Sequence, residues 1–240
     1  MSTKVIIIGA SSGIGEALAK EFSGHGFVVG MTARRTELLE KIQKQLSTKS
    51  YIKYMDLFKP EDAVSVFNGL VNEMGGVDIV VINSGVGRGG ETLLWDDERA
   101  VIDVNVTGFT AIAVAATKYF IERKKGHIVG ISSIAAIRAH GIDPAYCASK
   151  SFVSAYLRGL RHKFARQGFK DIYVTEIRPG FVKTPMTEDH PMFWAATPEK
   201  AAQQIYSTVI KKRQHAYITK RWTLIAWGLR IVPDFIYNRL

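Results

Sequence analysis

Residues 4 to 22, KVIIIGASSGIGEALAKEF, decide the fold of this chain. The β-branched apolar run Lys4–Ile8 leads into a glycine-rich turn, and a helical pattern follows over residues 16–22. A strand, a glycine turn and a helix in this order are typical of α/β folds that bind a dinucleotide. The glycines let the backbone turn tightly and approach a pyrophosphate, whose charge meets the positive end of the helix. The predicted cofactor contacts in the turn are Gly9, Ser11, Ser12, Gly13, Ile14 and Gly15.

The spacing of these glycines, G-x-x-x-G-x-G, differs from the G-x-G-x-x-G spacing of other dinucleotide-binding folds. A glycine-rich turn alone is also compatible with a purely structural bend. Its position directly after an N-terminal strand favours the nucleotide-binding interpretation.

Apolar runs alternate with helical patterns along the rest of the chain. Further strands are predicted at residues 27–32, 51–55, 78–82, 127–131 and 173–177. Helices are predicted at residues 36–46, 60–74, 96–103, 107–123, 145–166 and 198–210. About seven strands alternating with about six helices predict one α/β domain, a doubly wound, Rossmann-like parallel sheet with helices on both faces.

The composition indicates a single globular domain. The chain has 240 residues, 47% of them hydrophobic and 22% charged, and no linker rich in proline, glycine or serine divides it. Its one cysteine, Cys147, excludes an internal disulfide and a cysteine-based metal site, which fits a reducing compartment. The apolar run before Gly9 is too short for a signal peptide, so we expect a cytoplasmic protein.

The net charge of +10, from 32 basic and 22 acidic residues, is compatible with nucleic acid, an anionic membrane or an anionic cofactor as partner. The basic residues are scattered in pairs, without the aromatic-interleaved stripe of a nucleic-acid surface. We therefore predict no nucleic-acid partner. The six histidines show no metal-ligand spacing, so no metal site is predicted.

A second stretch, HIVGISSIAAIRAHGIDPAYCASK at residues 127 to 150, contains groups suited to proton transfer to a carbonyl. Tyr146 and Lys150 are four residues apart, so on a helix their side chains lie on the same face. A free tyrosine has a pKa near 10, and a neighbouring ammonium about 4 Å away would lower it by roughly 2 to 3 units. Ser133, at the end of a predicted strand, would donate a hydrogen bond to the carbonyl oxygen. The Tyr-x-x-x-Lys pair alone is a weak motif.

Together with the glycine turn, this stretch makes the chain resemble the short-chain dehydrogenase/reductase family. The resemblance extends by motif from Gly9 to Thr184 and implies catalytic roles for Asn105, Ser133, Tyr146 and Lys150. In the family, an asparagine in an Asn-x-x-Gly segment holds, through its backbone carbonyl, a water linked to the lysine, and Asn105 matches it. Lys150 would also bind the nicotinamide ribose.

The resemblance implies further cofactor contacts at the predicted strand ends. Asp56, followed by Leu57, matches an aspartate that accepts a hydrogen bond from the adenine amino group, although a plain strand-end turn is nearly as compatible. The family's Asn-Asn-Ala-Gly segment is altered here, so only Asn83 and Gly85 are carried over. The Pro-Gly motif beside the nicotinamide is matched by Pro179, Gly180, Val182 and Thr184.

Residues after the second predicted strand indicate the cofactor type. Arg34 and Arg35 lie where a doubly wound fold meets the adenosine ribose, and no carboxylate is present there. An arginine would attract the 2′-phosphate of NADP, whereas an acid would repel it. We therefore predict NADP (NADPH), with Arg34 as its contact. Alternatively, both arginines simply begin the next helix in water.

Two segments near the C-terminus are unusually apolar. Residues 185–197 lie where a substrate lid belongs and contain Met186, Met192, Phe193 and Trp194. Residues 221–240 form an apolar extension that is too short and interrupted to span a bilayer. This extension would cover the substrate pocket, contact a second subunit or attach peripherally to a membrane.

The expected activity is hydride transfer between NADPH and a ketone, an aldehyde or the corresponding alcohol, with a tyrosine as proton donor or acceptor. The substrate would be a small and hydrophobic molecule, and the family resemblance implies a homo-oligomer, a dimer or tetramer, formed through the helices at 107–123 and 145–166. Two alternatives remain: an inactive NADP-binding sensor or scaffold, and a membrane-surface reductase of a lipid-like substrate. The sequence leaves the substrate itself open.

Overall fold

The computed structural model describes residues 2–87, 90, 92–186 and 193–237. Its centre is one parallel sheet of seven strands in the order β3-β2-β1-β4-β5-β6-β7, which confirms the predicted doubly wound class. The strands are β1 Lys4–Ile8, β2 Val28–Ala33, β3 Ser50–Tyr54, β4 Ile79–Ile82, β5 Gly126–Ile131, β6 Ile172–Pro179 and β7 His215–Ile218.

Helices cover both faces of this sheet, as predicted. They are α1 Gly13–Gly24, α2 Thr36–Gln43, α3 Pro60–Glu73, α4 Trp95–Ile102, α5 Phe109–Arg123, α6 Pro144–Arg166, α7 Pro198–Ile210, α8 Trp222–Ile231 and α9 Asp234–Tyr237. The core has two main layers. Side chains of α3, α5 and α6 pack on one face of the sheet, and those of α1, α2 and α7 pack on the other. Both faces of the strands are therefore buried, which explains their continuous apolar runs.

The strand order places a crevice at one edge of the sheet. From β1 the chain builds outward through β2 and β3 on one side, and β4 then pairs with the other side of β1. The turns after β1 and β4 leave in opposite directions at their carboxyl ends, which is the topological switch point where doubly wound folds bind ligands. The glycine turn and Asn83 lie at this point.

The chain between α4 and α5 is irregular where we predicted it, but the helix does not break there. We expected a break around residues 105–108, but a π-helix at Asp103–Gly108 joins the two helices into one continuous helix. This combined helix, Trp95–Arg123, is long and apolar enough to cross a membrane. More than half of the most apolar 18-residue stretch of this helix is buried inside the fold, which indicates a core helix.

The seventh strand was expected but not located from the sequence. It is β7, whose four residues His-Ala-Tyr-Ile are too few to show a clear alternation. It pairs with β6 and directly precedes the apolar C-terminal helix α8. This order brings the C-terminal extension to the carboxyl edge of the sheet, beside the crevice.

Gly108 should be needed for the close approach of the π-helix to the chain after β3. A Cβ at this position would lie 2.7 Å from the backbone oxygen of Leu57. We expect Gly108→Ala to lower the free energy of unfolding by about 1–3 kcal/mol because one of the two segments must shift. Gly69→Ala in α3, where nothing lies within 4 Å, should raise it by about 0.5–1 kcal/mol. Urea titrations test both, and equal stability of the two variants would contradict the close-approach argument.

Candidate active site

An open cleft of about 1260 Å³, including its mouth, occupies the carboxyl edge of the sheet. The predicted site residues on its wall are Gly9, Ser11, Ser12, Gly13, Ile14, Arg34, Asp56, Leu57, Asn83, Gly85, Ser133, Tyr146, Lys150, Pro179, Gly180, Val182 and Thr184. Gly15 and Asn105 do not line the cleft but lie directly behind it.

The glycine turn is shaped by close backbone contacts. Gly9 and Gly13 have left-handed φ angles of +83° and +57°, which disfavour any residue with a Cβ. A Cβ on Gly15 would lie only 2.1 Å from the oxygen of Gly9, so Gly15 closes the turn instead of facing the ligand. Asn83 donates its side-chain amide to the same Gly9 oxygen at 2.7 Å and thereby fixes the turn to the end of β4.

The N-terminus of α1 opens toward the cleft. Its N-cap residue Ser12 makes no side-chain capping bond, so the first N–H groups of the helix are left for a ligand. The Arg35 guanidinium donates to the hydroxyls of Ser11 and Ser12 at 3.1 and 3.0 Å. The Arg34 guanidinium lies 5.6 Å above the ring of Phe58. Both arginines line the cleft, so Arg35 joins Arg34 as a candidate anion contact.

Tyr146 and Ser133 form the polar centre of the cleft. Ser133 follows β5 and accepts a hydrogen bond from Ala135 N at 3.1 Å, which orients its hydroxyl. The Ser133 side chain is also hydrogen bonded to the Tyr146 phenol. Burial raises the pKa of Tyr146 above its ordinary value, and the bond with Ser133 only partly opposes this rise. The lowering that we predicted from Lys150 is therefore not found.

Lys150 explains this difference. Its Nζ lies 5.6 Å from the centre of the Tyr146 ring and donates to the backbone oxygen of Ile131 at 3.0 Å. The side chain is 4% exposed, and burial lowers the pKa of the ammonium to about 8. One of its three donors is used by Ile131, which leaves two for a ligand or water. Lys150 is thus a buried cation that remains mostly charged at pH 7.

Asn105 is placed by the π-helix. It is 1% exposed, and its side chain exchanges two hydrogen bonds of 2.8 Å with the backbone of Val86. Its amide also donates to Ser149 Oγ at 3.0 Å. A Cβ on Gly85 would lie 3.0 Å from Lys150 Nζ and 3.4 Å from Asn105 Oδ1, so Gly85 separates these two groups. The predicted water link to Lys150 remains a prediction.

The start of α6 is fixed from both ends of its first turn. Asp143 caps the helix by accepting from Tyr146 N at 3.1 Å, and Pro144 occupies the first helical position. Ser149 donates to the backbone oxygen of Tyr146 at 2.7 Å. These contacts fix the backbone from which the phenol projects.

A buried polar network below this turn was not predicted. Ser132 donates to the Lys150 oxygen at 2.9 Å and shares a hydrogen bond with Ser154. Ser154 also donates to Glu176 on β6, and Glu176 pairs with Arg178 at 2.6 Å. Sequence reasoning missed this network because its members pair between β5, β6 and α6.

Other cleft residues were also missed. Ala33, Met55, Ser84, Val86, Val104, Ile131 and Ser132 line its wall, as do Arg35, Pro185 and Met186, which the sequence had placed near the ribose and in the lid. Most of them directly adjoin predicted residues at strand ends, and that position is the one signal that would have found them. Ser84, which departs from the family's alanine, packs against Gly9, where a Cβ would meet its hydroxyl at 2.4 Å.

Parts of the predicted lid and extension lie outside the described residues, among them Met192 and residues 238–240. In the described part, Phe193 packs at 5.6 Å against Phe181 and at 5.1 Å against Trp222 of α8. Trp222 packs against Gly180, where a Cβ would meet its ring at 2.1 Å. The inner face of α8 therefore backs the wall of the cleft.

Neither a metal nor a reactive thiol is indicated. Within the described ranges, no group of three histidine, cysteine, aspartate or glutamate residues is placed to hold a metal ion. His190 lies outside these ranges. Cys147 is buried, and burial raises the pKa of its thiol, which keeps it protonated.

Comparisons with known proteins agree with this architecture. Residues 3–192 match a family model described as short chain dehydrogenase. An uncharacterized oxidoreductase of Myxococcus xanthus is 36% identical over 187 residues, which cover 76% of this chain and 73% of the relative.

Two solved structures show the same fold. A short-chain dehydrogenase/reductase from Burkholderia phymatum in complex with NAD has a TM-score of 0.85 and 18% identity, covering 94% of this chain and 92% of its own. An alcohol dehydrogenase from Thermococcus sibiricus complexed with 5-hydroxy-NADP has a TM-score of 0.80 and 23% identity. The match covers 90% of this chain and 96% of the dehydrogenase.

The buried ammonium of Lys150 predicts a distinct dependence of stability on pH. Its pKa falls from 10.5 to about 8 on folding, so between these values the unfolded chain binds more protons and stability rises with pH. From pH 7 to pH 10 the wild-type protein should gain about 2 to 3 kcal/mol of unfolding free energy relative to Lys150→Met. Urea unfolding of both proteins at the two pH values measures this difference. A constant difference would show that the ammonium is not desolvated.

Proposed function

Because the chain belongs to the short-chain dehydrogenase/reductase family, we propose that it is an NADP-dependent reductase of ketones or aldehydes. The single observation that carries this proposal is the meeting of Ser133, Tyr146 and Lys150 in one cleft with the glycine turn. A proton donor, an oxygen-orienting hydroxyl and a cation lie there beside a dinucleotide cradle.

The cleft fits a nicotinamide dinucleotide. The turn after β1 excludes a Cβ at Gly9 and Gly13, and the N-terminus of α1 offers backbone N–H groups to a pyrophosphate. The described lining contains three cationic side chains, Arg34, Arg35 and Lys150, against one carboxylate, Asp56. This excess of positive charge suits a polyanionic cofactor. The two similar solved structures carry NADP-type and NAD-type cofactors, so they support the class without deciding between the two.

We favour NADP on the geometry of the arginines. The alternative is that both arginines only begin α2 in water, which would leave the Arg35 side chain directed to solvent. Its guanidinium instead lies against the glycine turn, and no acid lines the cleft at the end of β2. A 2′-phosphate there would meet both Arg34 and Arg35.

The chain's own residues would supply the proton chemistry. When bound in the cleft, NADPH would supply the hydride for the carbonyl carbon. Ser133 would donate a hydrogen bond to the carbonyl oxygen, and Tyr146 would give its phenolic proton to the same oxygen to form the alcohol. Lys150 would stabilise the phenolate that this transfer leaves, and it would bind the nicotinamide ribose.

The raised pKa of Tyr146 keeps the phenol protonated. Reduction requires a protonated phenol, which a raised pKa maintains at neutral pH. Alcohol oxidation requires the phenolate instead, which burial disfavours. The cationic form of Lys150, retained below about pH 8, would assist proton loss at the moment of transfer.

The substrate is proposed to be hydrophobic. Met186 lines the cleft. Phe193 contacts Phe181 and Trp222 behind the cleft wall, and Trp194 contacts Phe193. Assembly through α5 and α6 and a cytoplasmic location stay predictions.

Tyr146→Phe should abolish most turnover, because it removes the donated proton while retaining the ring. We expect kcat to fall by about 10²- to 10⁴-fold, with NADPH affinity unchanged in a fluorescence titration. NADPH absorbance, followed against a panel of apolar ketones and aldehydes, measures the rate. Undiminished turnover would exclude Tyr146 as the acid, and cofactor binding without turnover by the wild-type protein would favour the inactive sensor.

Arg34→Asp and Arg35→Asp should each shift preference toward NAD, because a carboxylate repels a 2′-phosphate. We expect the ratio of kcat/KM for NADPH to that for NADH to fall by about 10- to 100-fold in each variant. Arg166→Asp, the same charge change at the exposed end of α6, is the matched control and should leave the ratio unaltered. An unchanged ratio in both cleft variants would contradict the NADP assignment.

A further inference from the structure

Helix α8 has two apolar faces, of which the fold uses only one. The inner face carries Trp222 and Ala226, both 2% exposed, and packs against the loops after β5 and β6. The opposite face carries Leu224, Trp227 and Ile231, which are 73%, 67% and 62% exposed. The spacing of three and four residues places these side chains together along one side of the helix.

Several contacts of Arg138 hold the C-terminal end of α8 to the fold. Arg138, in the loop between Ser133 and Tyr146, donates to the backbone oxygens of Leu229 and Val232 at the end of α8. It also pairs with Asp234, and its guanidinium lies 4.2 Å from the ring of Tyr237. The helix is therefore fixed through its inner side, and its outer side has no part in holding it.

The exposed apolar area extends beyond the helix. Arg221 donates to the backbone oxygen of Trp194 at 2.6 Å, which joins the end of the lid to the start of α8. We define the outer apolar surface as the exposed residues Phe193, Trp194, Leu224, Trp227, Ile231 and Phe235. Four of these six side chains are aromatic, and Phe193 lies against Trp194, whereas single exposed apolar residues are scattered on ordinary surfaces.

Positive charges border this surface. Lys220 and Arg221 lie at the start of α8 and Arg230 near its end, all exposed. The one carboxylate of the described segment after β7, Asp234, is paired with Arg138. Aromatic and aliphatic side chains bordered by basic residues are the composition of a surface that enters the headgroup region of an anionic bilayer.

A second copy of the chain fits this surface less well. In a symmetric dimer the same patch meets itself, so Lys220, Arg221 and Arg230 would be brought toward their own copies. Like charges facing each other across an interface are unfavourable, whereas anionic headgroups would neutralise them.

The surface also lies at a functional position. Trp222 of α8 rests on Gly180 at the carboxyl end of β6, and Arg138 belongs to the loop that carries Ser133 toward Tyr146. Helix α8 therefore lies at the same edge of the sheet as the cleft, with its inner side on the cleft wall and the outer apolar surface on its opposite side.

We propose that the outer apolar surface docks the protein on an anionic lipid bilayer, with the cleft next to the membrane. The consequence for substrate rests on the proposed function: the carbonyl compound would be an amphiphile that enters from the bilayer. The docking itself needs no turnover, so the two proposals can fail separately.

Flotation with vesicles tests the docking. Wild-type protein should float with phosphatidylcholine vesicles that contain phosphatidylglycerol, and binding should weaken with added salt and with phosphatidylcholine alone. The double variant Trp227→Glu with Ile231→Glu should lower the partition coefficient by about tenfold or more, because both side chains would enter the bilayer. Ile210→Glu is the matched control. This exposed position ends α7 at the opposite edge of the sheet, and the variant should float like the wild type.

Circular dichroism melting checks that the variants fold, and the wild-type comparison of lipid compositions needs no variant. Absence of wild-type flotation with the anionic vesicles would overturn the proposal, as would flotation of the double variant equal to that of the wild type. A wild-type dimer that becomes monomeric in the double variant, without flotation of either, would also overturn it and assign the surface to a subunit contact. NADPH oxidation with a water-soluble carbonyl, measured on the same proteins, reports on the proposed reductase independently.

Discussion

The burial of the Lys150 ammonium is the constraint on which the site depends. A charge removed from water requires acceptors, and the carboxyl end of β5 supplies one at 3.0 Å through Ile131 O. Gly85 leaves the space between this ammonium and Asn105, and the π-helix brings Asn105 to that place. Strand β5, the loop after β4 and the irregular turn before α5 are thus arranged around one cation. Its desolvation lowers its pKa, which makes it a cation that a developing phenolate would stabilise.

The parallel sheet explains why so many distant residues share one cleft. Every strand points its carboxyl end to the same edge, so the turns after β1 to β6 converge there. The close contacts of Gly9, Gly13 and Gly15 then set the shape of the cradle by steric exclusion. The charges set its preference, because Arg34 and Arg35 line one end and Lys150 the other. Backbone geometry and charge therefore favour the same ligand class.

The C-terminal helix connects the wall of the cleft with the protein surface. Its inner face rests on Gly180 and Phe181, and Arg138 ties its end to the loop between Ser133 and Tyr146. A helix that is apolar all round is normally buried on all sides. Here the fold covers one side only, and the other side is exposed. The sequence left pocket cover, subunit contact and membrane attachment open, and the structure supports a cover on the inner side while the outer side still faces solvent.

The sequence by itself determined the fold class, most strand positions and most of the cleft residues, because these depend on local patterns. A glycine turn after a strand and a Tyr-x-x-x-Lys pair on a helix are set by neighbours within a few residues. Only the tertiary structure decided the raised pKa of Tyr146, the return of Arg35 to the glycine turn and the contacts of Arg138 with α8. These depend on burial and on pairs separated by 24 and 91 residues, respectively, in the two arginine contacts. The spacing of residues along the sequence does not predict such contacts, because the packing of the whole sheet and its helices brings these residues together.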